Sequence, residues 1–385
     1  MPKEIQIKNL KKAAERIKKA VKDKERIILY GDSDLDGETS VIILKESIQN
    51  LGGEVSAVFF PDRESDGYGI TKKAIEELKD LSPALFISMD LGISSFAEVE
   101  IAESMGFEVI IIDHHQPLNG LPKASIIVAP KQESDKSTFK NFANVGLIFK
   151  LSEILLGKNM SQSLRNSFLE LTALGTLADM MPIVDENKIF IENGLDSLGN
   201  TFRPGLRAFF EIFGDNIQSQ NNLQKIIGAL NTCKRVGRVN ETYLLLISSS
   251  LEDSKKIAQR LIENSQGKQF RIKEIIREVE NRVESKTLEP IIFEGDSFWS
   301  LILAGSVAST ISQRYEKPTF IFKKGDTESC GSVRVPKNVN SVDAMATCAD
   351  LLITYGGHPP ASGFRIKNEN LEKFKSCLIE YFKKK

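Results

Sequence analysis

Three aspartates at alternate positions, Asp32, Asp34 and Asp36, follow an apolar run at residues 27–30 and could bind a divalent metal ion. The run predicts a strand, and side chains at alternate positions of extended backbone point the same way. Carboxylates held so close together repel one another unless cations neutralise them, so the pattern favours divalent metal. For this stretch alone, a solvated Asp-Gly turn is the structural alternative.

Two further predicted strands end in similar residues. The strand at 84–89 is followed by Asp90, and the strand at 108–112 by an aspartate, His114 and His115. Strands that alternate with helices predict right-handed crossovers and a mostly parallel sheet, which brings these ends to one edge where ligands bind. A histidine pair at that edge favours metal ligation over a structural role. Mixed carboxylate and imidazole ligands suit Mn²⁺ or a similar ion, and two ions would balance the aspartates.

Asp179 lies at the end of a predicted helical region, roughly 143–179, which Pro182 limits. The helix macrodipole disfavours a carboxylate at this end unless a cation compensates it. Taken alone, such an aspartate is more often a surface residue.

Composition limits the class of protein. The 385 residues are 41% hydrophobic and carry a formal net charge of −1, which predicts a soluble globular protein of two or three domains. No apolar run approaches a membrane span and the start lacks a signal-peptide core, so we expect a cytoplasmic protein without membrane contact. The net charge gives no overall attraction for nucleic acid, which would need local basic patches. The four cysteines, Cys233, Cys330, Cys348 and Cys377, lack metal-binding spacing and are expected to be reduced.

The second half of the chain predicts a connector and another domain. Residues 251–287 are dense in both signs of charge and indicate a long connecting helix, with a break near Gly267 left open. A second α/β domain is predicted after this connector. It would contain strands at 300–304, 318–322 and 331–335 and a helix at 306–315.

Two further stretches could bind anions. Residues 231–238 cluster three cations, among them Arg235, although a surface loop is the alternative. Gly356 and Gly357 allow close approach of backbone to an anion, with the His358 imidazole as a donor.

Together these motifs resemble those of the DHH phosphoesterase superfamily. Its four metal motifs and the DHHA1 substrate-binding motif are matched by residues 32–37, 88–92, 113–115, 177–179 and 356–364. Within the superfamily, the sequence is most similar to RecJ-type single-strand exonucleases. That likeness rests on three matches. The first is residues 305–309, which follow Trp299; the second is residues 331–334; and the third is residues 179–182, followed by residues 186–187.

The resemblance implies a two-lobed α/β fold. Its parts are a DHH catalytic domain with a parallel sheet at 1–200, a helical connector at 201–288 and a smaller α/β DHHA1 domain at 289–385.

The resemblance also implies a two-metal site for Mn²⁺ or Mg²⁺. One ion would be held by Asp32, Asp34 and Asp90, and the second by Asp36, Asp90, His114 and Asp179, with Asp90 bridging. His115 would donate to the scissile phosphate, so the catalytic set is Asp34, Asp36, Asp90, His114, His115 and Asp179. Substrate would be held from the other lobe, across a channel, by Arg235, Arg334, Gly356, Gly357 and His358.

The implied activity is exonucleolytic hydrolysis of single-stranded DNA, or of RNA, from 5′ to 3′ with release of 5′-mononucleotides, in DNA repair or replication. The likeness ends soon after the DHHA1 motif without an OB-fold, which favours the compact archaeal-type relatives, some associated with the GINS complex. One alternative is a DHH phosphodiesterase of oligoribonucleotides or cyclic dinucleotides, and the other is a replication-fork scaffold. The loops around Trp299 and Arg334 argue against the first, and the complete ligand set argues against the second.

Overall fold

The computed structural model describes residues 6–63, 66–117, 120–214, 219–232, 234–284 and 289–384, with His358 described in its backbone alone. Contacts divide the chain into two compact units, Met1–Ser265 and Gln266–Lys385. The division into three parts made from the sequence stays a prediction.

The first unit contains a five-stranded parallel sheet in the order β2-β1-β3-β4-β5. Its strands are short, apolar and almost wholly buried, as expected for a parallel sheet covered on both faces. They are β1 (Ile27–Gly31), β2 (Ala57–Phe59), β3 (Ala84–Met89), β4 (Phe107–Ile112) and β5 (Ile126–Val128). The predicted parallel α/β domain is confirmed.

Alternate residues of β1 enter two separate cores. Ile27 and Leu29 belong to the larger core, and Ile28 and Tyr30 belong to the smaller one on the opposite face of the sheet. Ten complete helices accompany this sheet among the described residues, and an eleventh begins in the same unit. They are α1 (Leu10–Lys22), α2 (Leu35–Asn50), α3 (Lys72–Leu78), α4 (Phe96–Ser104), α5 (Asn144–Leu156), α6 (Gln162–Ala178), α7 (Asp185–Leu198), α8 (Pro204–Phe213), α9 (Gln220–Leu230), α10 (Glu241–Leu246) and α11 (Leu251–Val283).

A two-stranded hairpin, β6 (Arg235–Val236) and β7 (Val239–Asn240), also belongs to the first unit. The backbone N–H of Phe60, just past β2, donates to the carbonyl of Arg238 at 3.0 Å. The hairpin is thereby fixed beside the edge strand of the sheet.

The helix α11 is continuous through Gly267, so a break there is excluded. A Cβ at Gly267 would meet no atom within 4 Å, which places this glycine on an open helix face where it costs propensity without bending the chain. The predicted residues 285–287 lie outside the described part.

The second unit is built on a mixed sheet in the order β11-β12-β10-β9-β8. The strands β8 and β9 are parallel and the other pairs are antiparallel. Its elements are β8 (Ile292–Asp296), α12 (Leu301–Tyr315), β9 (Thr319–Lys324), β10 (Glu328–Arg334), α13 (Ser341–Ala346), β11 (Leu352–His358), β12 (Ala361–Lys367) and α14 (Leu371–Lys383). Phe320 and Phe322 enter one core of this unit, and Ile321 enters the other.

The predicted strand at 300–304 is wrong, because α12 already begins at Leu301. A short apolar run fits a strand and a buried helix equally, and the helical spacing of Leu303, Val307 and Ile311, all buried, decides for the helix. The strand that precedes it, β8, was missed.

The expectation that all cysteines are reduced is also wrong. Cys348 and Cys377 form a disulfide, with Cα atoms 6.3 Å apart, because α13 and α14 pack together. A separation of 29 residues gives no sequence signal for this pair. Cys330 is a free thiol, and Cys233 lies outside the described residues.

Among the described residues, no helix combines the length and the apolar character needed to cross a membrane.

Candidate metal centre

Parallel register aligns the ends of three strands. Gly31 of β1 pairs with Met89 of β3, which pairs in turn with Ile112 of β4. The next residue along each strand is an aspartate, so the three aspartate-bearing loops begin side by side at one edge of the sheet.

The three aspartates after β1 are not presented by extended backbone, and that expectation is wrong. The helix α2 begins at Leu35, so Asp34 is its N-cap and accepts a hydrogen bond from the Gly37 N–H at 3.1 Å. Asp36 lies in the first turn of the helix. Gly37 lets this turn fold against the strand end, because a Cβ there would lie 2.3 Å from the Asp32 carbonyl oxygen.

Asp36 is buried and is oriented by the start of another helix. Its two carboxylate oxygens accept the backbone N–H groups of Asn144 at 2.8 Å and Val145 at 2.7 Å, in the first turn of α5. The positive end of the α5 dipole therefore faces this carboxylate.

Asp90 has a backbone conformation that is unfavourable for its residue type. Its φ of 64° is left-handed, and its N–H donates to the Ile112 carbonyl at 3.0 Å. Strained backbone of this kind is concentrated at functional sites, where the surrounding structure holds it. The left-handed residue directly follows the end of β3 at Met89 and begins the loop that carries the Asp90 carboxylate.

His114 is held in one orientation. Its Nδ1 donates to the Phe142 carbonyl at 2.9 Å, which leaves the lone pair on Nε2. Nε2 lies 3.2 Å from Asp90 Oδ1 and 3.6 Å from Asp179 Oδ2. Burial, and then the charge of His115, lower the pKa of His114 to about 3, so its ring is neutral.

Asp179 follows α6 as its C-cap. Burial, and then the charge of Asp34, raise its pKa to about 7. Asn187 fixes the turn that follows, because its Nδ2 donates to the carbonyls of Pro182 at 3.0 Å and Asn141 at 2.7 Å. The helix end is thereby held at the edge of the sheet.

Three groups of side chains could hold a metal ion in the described part of the chain. The ligand atoms of each group lie within 4.8 Å of one another. The groups are Asp32, Asp34 and Asp90; Asp36, His114 and Asp179; and Asp90, His114 and His115. All six residues predicted as ligands are thus brought together, although Asp90 is not part of the group formed by Asp36, His114 and Asp179. The assignment of ligands to two ions stays a prediction.

The electrostatics of the cluster fit a bound cation. Burial, and then neighbouring carboxylates, raise the pKa of Asp36 and Asp90 well above the usual value. His114 Nε2 and Asp179 Oδ2 are buried without a hydrogen-bond partner among the described residues. Carboxylates that repel one another around an imidazole lone pair gain most from a divalent ion, which neutralises charge and supplies the missing partner.

His115 has a different role from His114. Its Nδ1 lies 2.8 Å from Asp113 Oδ1, and the Asp113 carboxylate also accepts the N–H groups of His115 and Ile93. Burial opposes protonation of His115, but Asp113 outweighs it and raises the pKa to about 9. His115 is therefore a cation at neutral pH, beside the carboxylate cluster.

Three further residues belong to the site but were not predicted from the sequence. Arg63 pairs with Asp32, the Tyr68 hydroxyl lies 3.4 Å from His115 Nε2, and Asn144 binds Asp36. Arg63 and Tyr68 lie on the chain that leaves β2, whose end shares the edge with the other strands. Polar residues that follow the ends of parallel strands lie at one edge of the sheet, and this rule could have located Arg63 as it locates Asp32 and Asp90. The positive charge of Arg63, however, does not suggest a metal ligand. Nothing in the sequence marks Asn144, whose backbone N–H binds Asp36.

Arg235 lies in the same unit as the carboxylates, and not in the other lobe as expected. It pairs with Asp66 at 2.7 Å and its guanidinium lies 4.9 Å from the centre of the Phe59 ring. The reason is the hairpin β6–β7, which fixes Arg235 beside β2. Its role in substrate binding stays a prediction.

The residues predicted to bind substrate in the second unit lie at one end of its sheet. Arg334 of β10 and His358 of β11 both pair with Ala361 of β12. Gly357 has a φ of 134°, and a Cβ there would lie 2.6 Å from the Ala361 carbonyl. Burial lowers the pKa of Arg334, and no carboxylate among the described residues contributes to that pKa. A half-buried guanidinium of this kind is suited to bind an anion.

Two family models match the chain, the DHH family N-terminal domain at residues 26–176 and the DHHA1 domain at residues 289–384. The chain thus contains a DHH domain followed by a DHHA1 domain. The resemblance inferred from the motifs is confirmed.

Within that family the chain is similar to RecJ. The single-stranded-DNA-specific exonuclease RecJ of Bacillus subtilis is 32% identical over 98% of this chain and 48% of the relative. RecJ of Salmonella typhimurium is 29% identical over 97% of this chain and 69% of the relative. The chain thus spans about half the length of the first of these relatives.

Solved structures agree with this likeness. The crystal structure of RecJ from Thermus thermophilus in complex with Mn²⁺ superposes with a TM-score of 0.85 at 25% identity, over 99% of this chain and 55% of the other. A structure of exonuclease RecJ bound to manganese gives a TM-score of 0.82 at 26% identity, over 99% of this chain and 96% of the other. The predicted DHH and DHHA1 architecture is confirmed.

Proposed function

We propose that this chain is a metal-dependent exonuclease of the RecJ type, which hydrolyses phosphodiester bonds of single-stranded DNA from 5′ to 3′ and releases 5′-mononucleotides. The observation that carries the proposal is the convergence of Asp32, Asp34, Asp36, Asp90, His114 and Asp179 at one edge of a parallel sheet. The similarity of almost the whole chain to RecJ proteins supports the choice of substrate.

Two Mn²⁺ or Mg²⁺ ions would be held by the predicted ligands. Asp32, Asp34 and Asp90 would hold the first, and Asp36, His114 and Asp179 the second, with Asp90 shared between them. Such ions, when bound, neutralise phosphate charge and make a water molecule a better nucleophile. The orphaned Nε2 of His114 and Oδ2 of Asp179 support this assignment.

The protein's own groups prepare the site for that chemistry. The Phe142 carbonyl keeps the proton on His114 Nδ1, so that Nε2 is always available as a ligand. The first turn of α5 fixes the orientation of Asp36. Because the proposed ligands already lie together, their own side chains need little reorganisation when metal and substrate bind.

His115 and the second unit would bind phosphate. Asp113 keeps His115 protonated, and a protonated imidazole can donate a charge-assisted hydrogen bond to a phosphate oxygen. Arg334, Gly356, Gly357 and His358, gathered at one end of the other sheet, are proposed to bind another phosphate of the strand.

The two alternatives are less well supported. A phosphodiesterase of dinucleotides would share the metal site, but the likeness to RecJ extends over both units. A replication scaffold would not need six ligands in place. On the basis of the family resemblance we also propose a cytoplasmic location, a role in DNA repair or replication and a replication-fork partner such as GINS.

Digestion of end-labelled single strands tests the function. With Mn²⁺, the protein should shorten linear single-stranded DNA to mononucleotides and leave circular single strands intact, and a chelator should stop the reaction. Asp36→Asn should slow it roughly 10²-fold or more, because a charged ligand is lost. Asp196→Asn, at an exposed position of α7, is the matched control and should be fully active.

Two results would contradict the proposal. One is efficient cutting of circles, which shows an endonuclease. The other is faster hydrolysis of dinucleotides than of longer strands, which favours the small-substrate enzyme. RNA strands of the same sequence decide the preference for DNA.

A further inference from the structure

Arg63 contacts two of the proposed metal ligands. Its Nε lies 3.1 Å from Asp32 Oδ1, and its Nη2 lies 2.7 Å from Asp32 Oδ2. The same Nη2 lies 2.9 Å from Asp34 Oδ2. The guanidinium therefore binds Asp32 in the bidentate manner and reaches across to Asp34.

This arrangement supplies the charge that two carboxylates need. The Asp32 side chain is 2% exposed, whereas that of Arg63 is 39% exposed. A buried carboxylate without a counter-charge strongly destabilises the folded protein, and repulsion from a second carboxylate beside it increases that destabilisation. Arg63 supplies a positive charge to both Asp32 and Asp34 where no metal is bound.

The guanidinium and a divalent ion would use the same oxygens. Asp32 and Asp34, with Asp90, form one of the three groups able to hold a metal in the described part of the chain. Metal–oxygen distances in protein sites are about 2.1–2.6 Å. An ion bound to Asp32 Oδ2, itself 2.7 Å from Nη2, would thus lie no more than about 5.3 Å from that nitrogen, where like charges repel strongly.

We propose that Arg63 is an internal cation that exchanges with the metal ion at the Asp32, Asp34 and Asp90 group, and so sets the metal affinity of that site. It is a positioning residue for the ligands in the metal-free protein. The proposal rests on the metal-dependent function proposed above, and adds that metal binding must displace the Arg63 side chain.

The surroundings of Arg63 allow such a displacement. The Arg63 side chain is 39% exposed, so it can move outward into solvent without opening a core. Its guanidinium also lies 5.6 Å from the centre of the Tyr68 ring, a face that attracts cations. The side chain can therefore leave the carboxylates while staying near the site.

Calorimetric titration of Mn²⁺ into the metal-free protein tests the exchange. Arg63→Gln should bind one of its two ions, the one held by Asp32, Asp34 and Asp90, on the order of tenfold more strongly than the parent, because no ion pair has to be broken. Lys73→Gln is the matched control. It removes one positive charge from Lys73, which pairs with Asp66 at 2.6 Å and not with the proposed metal ligands. Its Mn²⁺ affinity should stay within about twofold of the parent.

Thermal unfolding gives a second measure that does not depend on activity. In chelator, Arg63→Gln should melt at a lower temperature than the parent, because Asp32 and Asp34 have lost their counter-charge. At saturating Mn²⁺ the difference should disappear, since the ion takes the place of the guanidinium. A deficit that persists unchanged in Mn²⁺ would show a purely structural role and overturn the proposal.

The outcomes separate this proposal from the one on which it rests. If the parent binds two Mn²⁺ ions and Arg63→Gln binds them with equal or weaker affinity, the exchange is refuted and the metal-dependent function stands. If Lys73→Gln tightens Mn²⁺ binding as much as Arg63→Gln does, the removal of any nearby positive charge explains the effect, and the exchange is refuted. If the parent binds no Mn²⁺, both proposals fail together.

Discussion

Replacing Gly37 by alanine adds a single methyl group at the centre of the proposed metal loop. The new Cβ would lie 2.3 Å from the Asp32 carbonyl oxygen and 2.7 Å from the Asp32 nitrogen, whereas ordinary contacts begin at 3.4 Å. Both atoms are backbone, so no side chain can swing aside. The strand end that bears Asp32 must therefore shift by roughly 1 Å relative to α2.

The cost should fall on metal binding and catalysis more than on folding. Overpacking costs about 1–3 kcal/mol, but alanine gains about 1 kcal/mol of helix propensity over glycine in the first turn of α2. The typical net loss of stability is thus about 0–2 kcal/mol. A displacement of about 1 Å in a reacting geometry can cost about 10²-fold in rate. We expect Gly37→Ala to fold, and to lose about that much of its exonuclease rate together with Mn²⁺ affinity.

The assay is urea denaturation in chelator, followed by Mn²⁺ titration and digestion of a single strand. Gly267→Ala is the matched control, because the same change in α11 meets no atom within 4 Å. It should stabilise the protein by up to about 1 kcal/mol and leave Mn²⁺ binding unchanged. If Gly37→Ala binds Mn²⁺ and digests DNA as the parent does, the close packing of the loop against α2 has no role in the site.

Two other predictions concern separate parts of the chain. Arg334→Ala should flatten the salt dependence of single-strand binding by a log-log slope of about 0.7, because one phosphate contact is lost, and an unchanged slope in filter binding would exclude that contact. Glu170 accepts hydrogen bonds from Ser197 and Thr201 in the interior, where burial raises its pKa above 4.5. The folded protein therefore favours protonated Glu170. The contribution of this residue to stability is complete below about pH 4.5, and it is lost as the pH rises through the raised pKa. Glu170→Gln should gain stability relative to the parent in urea denaturation as the pH rises from about 4.5 through the raised pKa, and a difference that does not change with pH would show that the pKa is not raised.

The sequence predicts those site residues well that come directly after the strands of the parallel sheet. Asp32, Asp90 and His114 follow parallel strands closely, and parallel register alone is enough to align them. Asp36 was placed near the site for the wrong reason, since a helix turn and the start of α5 orient it. Asp179 comes from a distant helix end, and only the family resemblance indicates that it joins the cluster.

Other features depend on tertiary contacts that leave no local pattern. Arg63 is recognisable as part of the site only when its contacts with Asp32 and Asp34 are seen. Cys348 and Cys377 are joined because two helices pack, not because of their spacing. The apolar run at 300–304 fits a strand or a helix until its neighbours along α12 show which face is buried.

The central claim is that one edge of the parallel sheet holds two divalent ions through a shared carboxylate, and a Mn²⁺ titration of the parent and of Asp90→Asn tests it most directly. The parent should bind two ions per chain. The Asp90 carboxylate lies near the pair Asp32 and Asp34 and also near His114. Its loss should therefore lower the affinity for both ions by at least about tenfold, while the circular dichroism spectrum shows an unchanged fold. Parental binding of both ions by Asp90→Asn, or a parent that binds none, would contradict the account.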